Sequence, residues 1–193
     1  MLGLKLPTDP RWVNIVEKNI DEILTDHAYC EQKAASTAIS LIVSFPEYPE
    51  LVEEMVALSR EEMGHFKMVH DRIIERGQTL GRYRKDLYVI ELMKFFPKGG
   101  SRIDQLTHRL LYAALIEARS CERFRLLSKE LKDKELAEFY HKLMVSEAGH
   151  YTMFLKFARR YGDLEEVNRK WQDLLEYEAK IMKDLGTKET VHG

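Results

Sequence analysis

Four stretches of the chain carry an apolar stripe at helical spacing, and each stripe is interrupted by a carboxylate. Leu24, Ala28, Ala35, Ala38 and Ile42 frame Glu31, while Met55, Leu58 and Val69 frame Glu62 and His65. Leu110, Ala113, Cys121 and Phe124 frame Glu117, while Tyr140, Leu143 and Phe154 frame Glu147 and His150. Residues three and four apart share one face of an α-helix, so each stripe reads as the core-facing side of a long helix. Turn chemistry supplies the ends. Thr8-Asp9-Pro10 opens the first pattern, with Asp9 as N-cap and Pro10 at the first helical position. That pattern runs to about Ser44, and Thr25-Asp26 is where a break is expected. Pro46 and Pro49 bracket a turn, and a second helix follows from about Glu50 to Arg76, with Gly77 as a left-handed cap.

Residues 77–101 form an insert, in which Gly81 and the Pro97-Lys98-Gly99-Gly100 turn flank a short apolar helix around Leu87 to Phe96. Ser101, supported by Asp104, caps a third long helix to about Lys129. A fourth runs from near Asp133 to Gly162, and Asp163 with Glu165 and Glu166 opens a last helix to about Leu185. The tail from Gly186 to Gly193 is expected to fray. The pattern predicts an all-α fold, a ferritin-like four-helix bundle of helix pairs 10–76 and 102–162, with the insert and the 163–185 helix flanking it.

Composition narrows the class. With 193 residues, 45% hydrophobic and 32% charged, the chain suits one domain spanning 1–193 with a sizeable core. No apolar run approaches the ~18–20 residues of a membrane span and the start lacks a signal-peptide pattern, so a cytoplasmic protein is expected. Only Cys30 and Cys121 are present, without CxxC spacing. That excludes a rubredoxin-type iron site and predicts two small buried thiols. A net charge of -2 argues against a strongly basic nucleic-acid binder, yet residues 76–102 carry seven basic and two acidic side chains.

The carboxylates change the picture most. Glu62-Met63-Gly64-His65 recurs as Glu147-Ala148-Gly149-His150, and a lone glutamate precedes each copy: Glu31 by 31 residues and Glu117 by 30. Glu-x-x-His places a carboxylate and an imidazole side by side on one helical face. A buried carboxylate costs several kcal/mol, or protonates, unless a cation compensates it. Four glutamates and two histidines therefore imply metal, and a donor set without thiolate suits iron or manganese better than structural zinc. Glu62 and Glu147 would bridge two ions, with Glu31 and Glu117 terminal, which makes dioxygen chemistry the default.

Other residues have plainer readings. His27, one turn before Glu31, is expected as a surface or core histidine, with a place behind the metal ligands or in a substrate pocket as the other reading. Glu61 would orient a ligand or stay solvated. Tyr112, Tyr151 and Cys121 are expected to fill the core, and His70, His108, His141 and His192 have no partner at ligand spacing.

Three segments carry a resemblance: residues 6–13, Leu-Pro-Thr-Asp-Pro-Arg-Trp-Val; residues 26–38, from Asp26-His27-Ala28-Tyr29-Cys30-Glu31 to Ala38; and residues 60–66, Arg-Glu-Glu-Met-Gly-His-Phe. They resemble the bacterial tRNA hydroxylase family MiaE, over most of the chain. The resemblance implies a ferritin-like non-haem diiron monooxygenase that hydroxylates the isopentenyl group of 2-methylthio-N6-isopentenyladenosine beside the anticodon. The implied cofactor is a pair of iron ions held by Glu31, Glu62, His65, Glu117, Glu147 and His150. The implied partner is the tRNA anticodon stem-loop. No flavin or nucleotide motif is present, so an external reductase is expected. An iron-oxidising or storage protein of the ferritin or rubrerythrin kind is the alternative; it would assemble into a cage, whereas the hydroxylase reading expects a monomer or dimer.

The basic insert offers Arg82, Arg84, Lys85 and Lys98 as tRNA phosphate contacts, and Tyr83, Tyr88, Phe95 or Phe96 as surfaces on which an unpaired base stacks. The competing reading has Phe95 and Phe96 closing the bundle.

Overall fold

The computed structural model describes residues 2–186, 188 and 190–192, and every regular element among them is an α-helix. In chain order these are α1 (Trp12–Lys18), α2 (Ile20–Ser44), α3 (Pro49–Glu75), α4 (Leu87–Met93), α5 (Arg102–Glu130), α6 (Lys134–Tyr161) and α7 (Leu164–Leu185). They fall into two compact units, one of residues 2–17, 86–186, 188 and 192, the other of residues 18–85 with 190 and 191.

In the second unit, α2 and α3 form an antiparallel pair joined by the Pro46 to Pro49 turn. Ile23, Leu24, Ala28, Ala35, Ala38 and Leu41 of α2 are buried, as are Leu51, Met55, Leu58, Val69 and Ile73 of α3. Small residues along α2 let the backbones approach, while the larger ones of α3 fill the seam. Pro49 stands at the start of α3, where a missing N–H costs nothing. The end of α3 is set by Gly77 at φ +73°, whose N–H donates to Ile74 O at 2.8 Å while Gln78 N–H donates to Ile73 O at 3.1 Å.

The first unit is built on α5, α6 and α7. Leu106, Leu110, Leu111, Ala114, Leu115, Ala118, Phe124 and Leu127 of α5 are buried, with Tyr140, Leu143, Phe154 and Ala158 of α6 and Trp171, Leu174 and Leu175 of α7. Each helix start has its own cap. Ser101 and Asp104 form the reciprocal capping box on α5, Asp133 accepts from Glu135 and Leu136 N–H on α6, and Asp163 accepts from Glu166 N–H on α7. Asp86 caps α4 through Val89 N–H, a start the sequence pattern did not single out.

Three expectations need correction. The first long pattern does break, but at Asn19, and α2 runs unbroken through Thr25-Asp26. Asp26 is buried and its carboxylate accepts the Val191 N–H at 2.7 Å, so the side chain is not competing with the helix backbone. The described part of the tail is docked instead of frayed. Trp12 Nε1 donates to Lys188 O at 3.0 Å, Arg123 Nη2 donates to Gly186 O at 2.8 Å, and His192 is buried within hydrogen-bond distance of Asp86 and Ser120. Thr187, Glu189 and Gly193 of that tail lie outside the described residues. Finally, Cys30 is only half-buried, while Cys121 is buried with its thiol donating to Met144 O at 3.3 Å.

Candidate metal centre

All six predicted ligands project from the long helices, three in each unit, and none is more than 7% exposed. In the second unit, α2 supplies Glu31 and α3 supplies Glu62 and His65. His65 Nδ1 lies 3.2 Å from Glu62 Oε2 and 3.7 Å from Glu31 Oε2, so one imidazole sits between two carboxylates. Burial pulls the His65 pKa down, but hydrogen bonds to Glu31 and Glu62 and their charges outweigh it, holding the ring protonated up to about 10. The ring's proton occupies the place of a cation that this acidic pocket calls for. Metal binding would displace it, because a ligating imidazole must be neutral.

Behind this half-site stands His27. It is fully buried, and its Nε2 lies 2.6 Å from Glu31 Oε1. His27 is thus the core histidine of the first expectation and also touches a candidate ligand, holding one carboxylate oxygen as outer ligand partners commonly do. The i, i+4 spacing of a histidine and a glutamate on a buried stripe was the signal that could have found it. Glu61, with its side chain half exposed, places Oε1 3.9 Å from His65 Nε2.

The first unit repeats the arrangement, with Glu117 on α5 and Glu147 and His150 on α6. His150 Nδ1 lies 3.5 Å from Glu147 Oε2. Tyr140, Leu143 and Phe154 bury the same face of α6, and Phe124 of α5 packs its ring against Tyr140 at 5.3 Å. In both units, buried oxygen and imidazole donors without thiolate fit iron or manganese.

The insert's side chains separate on inspection. Arg82, Arg84 and Lys85 are exposed on the segment after α3, and Lys98 is exposed on the turn after α4. Arg84 Nη2 is 3.1 Å from Glu22 Oε2 and Arg76 Nε is 2.7 Å from Asp21 Oδ1, so part of the basic charge is neutralised at the surface of α2. Tyr88 is fully buried with its hydroxyl donating to Glu178 Oε1 at 3.1 Å, which removes it as a base-stacking surface. Phe95 packs on Tyr177 at 5.4 Å, and Phe96 on His108 at 5.3 Å and Tyr112 at 6.4 Å. These two aromatics close the first unit. Tyr83, 52% exposed, is the stacking candidate left. Among the described residues no helix is long and apolar enough to cross a membrane.

Paired buried Glu and Glu-x-x-His half-sites on long helices define a ferritin-like carboxylate protein. A solved structure of the same architecture, described as protein 43 with aldehyde deformylating oxygenase activity from Synechococcus, matches at 31% identity and a TM-score of 0.91, covering 98% of this chain and 95% of that one. More particularly, the family described as tRNA-(MS[2]IO[6]A)-hydroxylase (MiaE) matches residues 2–193, and the chain belongs to it. A Pseudomonas putida relative, tRNA 2-(methylsulfanyl)-N(6)-isopentenyladenosine(37) hydroxylase, is 39% identical over 86% of this chain and 80% of its own length. A Salmonella typhimurium protein of the same name is 27% identical over 93% of this chain and 83% of its own.

Proposed function

We propose that this chain hydroxylates the isopentenyl side chain of 2-methylthio-N6-isopentenyladenosine in tRNA, next to the anticodon, at a dinuclear iron centre. The observation that carries the reading is the duplicated, fully buried set of Glu31, Glu62, His65 and Glu117, Glu147, His150 in a member of this hydroxylase family. Glu31, Glu62, His65, Glu117, Glu147 and His150 would hold the metal. Bound there, iron would contribute the electrons with which O₂ is activated.

The overall balance is a C–H bond and O₂, with two electrons and two protons, giving an alcohol and water. The chain's own residues hold the carboxylates in place and exclude water. His27 fixes Glu31, and the apolar neighbours Met55, Leu58 and Val69 in one unit and Leu143 and Phe154 in the other keep the ligand faces dry. The two electrons come from an external reductase, since the sequence carries no flavin or nucleotide motif of its own. The reading sets the enzyme in the cytoplasm with its tRNA, as a monomer or dimer.

Mass spectrometry of tRNA nucleosides from cells with and without the protein is the direct test. The hydroxylated nucleoside should vanish with the gene and its unhydroxylated precursor accumulate; an unchanged nucleoside profile refutes the reading. Purified protein should carry about two irons, with Glu62→Ala and Glu147→Ala losing metal, while Cys30→Ala keeps it. The aldehyde-deformylating activity in the structural relative's description makes an aldehyde the second substrate to assay. A cage-sized particle in gel filtration would favour an iron-storing protein.

A further inference from the structure

The segment after α3 is pinned to α2 in a way that displays one aromatic ring. Tyr29 of α2 donates its hydroxyl to Gly81 O at 2.9 Å, and a Cβ at Gly81 would lie 3.0 Å from Thr25 Cγ2, so the backbone approaches α2 as closely as a glycine allows. Two residues on, the Tyr83 ring is held edge to face by the Tyr29 ring, with centroids 5.5 Å apart at 76°. Lys33, one turn along α2 from Tyr29, places its Nζ 5.3 Å from the Tyr83 centroid. The Tyr29 ring and the Lys33 ammonium thus brace the Tyr83 ring, which remains 52% exposed.

Its surroundings are cationic. Residues 77–85 contain no acidic side chain. Arg84 is held by Glu22, while Arg82 and Lys85 are exposed and pair with no carboxylate among the described residues. A rigid, half-exposed aromatic flanked by two available cations is what a single-stranded nucleic acid requires: a π-face for a base and positive charge for the adjoining phosphates.

We propose that Tyr83 is a stacking platform for an unpaired base of the tRNA anticodon loop, with Arg82 and Lys85 contacting the flanking phosphates. The proposal rests on the tRNA reading above and adds the surface and its chemistry. Arg84 and Arg76, engaged by Glu22 and Asp21, contribute less than their charge suggests.

The test uses the full iron-loaded chain and a fluorescently labelled anticodon stem-loop oligonucleotide, with affinity measured by anisotropy across salt concentrations. Tyr83→Ala should weaken binding about 5- to 150-fold, the equivalent of about 1–3 kcal/mol for one base stack, without changing the salt dependence. Tyr83→Phe keeps the ring and should bind like the unaltered protein. Arg82→Ala and Lys85→Ala should each lower the salt slope by roughly 0.7 to 0.9. Circular dichroism and iron content should be unchanged in all four variants and serve as folding controls. If the unaltered protein binds and modifies the stem-loop while Tyr83→Ala binds within twofold of it, the proposal is overturned and the tRNA reading survives. If the unaltered protein neither binds nor modifies it, both are overturned. If Arg82→Glu with Lys85→Glu leaves stem-loop affinity intact but slows reductase-driven turnover of the nucleoside, the surface belongs to an acidic redox protein and the proposal is overturned.

Discussion

Replacing Glu178 by Gln tests whether the first unit is held by a charge-balanced buried cluster. Glu178 Oε1 receives the Tyr88 hydroxyl at 3.1 Å, Arg119 Nε at 2.8 Å and Arg119 Nη2 at 2.7 Å, so α4, α5 and α7 meet at one oxygen. Arg119 also donates to Glu122 at 2.8 Å and to Leu6 O at 2.9 Å, which draws in the N-terminal segment. Arg123, stacked 4.2 Å over the Trp12 ring, adds a second cation, and burial together with the Arg119 charge pulls its pKa down to about 9. Two guanidinium groups thus face two carboxylates, Glu178 and Glu122. Gln keeps the shape of Glu178 but leaves a net positive charge among side chains that are almost wholly buried. Removing one partner of a buried ion pair costs about 3–5 kcal/mol. At roughly 2–4 °C per kcal/mol for a chain of this size, the melting temperature should fall by about 6–20 °C. Differential scanning calorimetry of the metal-free protein measures it directly. The double variant Arg119→Met, Glu178→Leu, which removes both charges and leaves Arg123 facing Glu122, should recover most of the loss. A fall of less than 2 °C in Glu178→Gln, or a double variant no better than the single, would refute the argument.

Two further outcomes are expected. His192→Ala should destabilise the protein by about 1–3 kcal/mol, because it leaves the buried Asp86 carboxylate and Ser120 hydroxyl without the ring that lies 3.1 Å from each; an unchanged melting temperature and unchanged carboxypeptidase sensitivity would mean that the tail is not anchored. Burial, then the Glu147 charge, pushes the Cys121 thiol up to about 11 from an ordinary 9.0, so the folded metal-free protein favours the thiol over the thiolate. The resulting stability is fully present below pH 9 and is lost as pH rises toward 11, and iodoacetamide at pH 8 should label half-buried Cys30 before Cys121, an order that mass spectrometry can check.

The long helices and the buried glutamates and histidines on them were legible because both are local signals. Stripe periodicity, the Ser101 and Asp104 box and the Gly77 cap each need only a few adjacent residues, and a glutamate inside an apolar stripe announces itself. The hidden parts depend on partners far away in the sequence. Asp26 does not break α2 because its partner is Val191, 165 residues on. Arg119 and Glu178 resemble any solvated helix charges until folding brings together residues 59 apart. Tyr88 looked as available as Tyr83 in the sequence; only burial against Glu178 separates them. The basic count of the insert was correct, but which cations are neutralised depended on Asp21 and Glu22 of α2.

The internal repeat is unequal at one position, and that inequality is testable. Four residues before Glu31 stands His27, whereas four residues before Glu117 stands Ala113. The His27 Nε2–H donates to Glu31 at 2.6 Å inside a buried stripe, so the Glu31 carboxylate is held in one orientation. A ligand fixed in advance loses less rotamer freedom on binding, and losing such an outer partner commonly costs about 10- to 100-fold in metal affinity. His27→Ala should therefore weaken binding of one metal equivalent by that factor and leave the other nearly unchanged, read as a wider separation of the two steps in a ferrous titration. His27→Gln, whose amide N–H can still reach the carboxylate, should restore much of the affinity. If His27→Ala takes up both equivalents as the unaltered protein does, or loses both together, then His27 is only a packed core histidine and the two half-sites are equivalent toward metal.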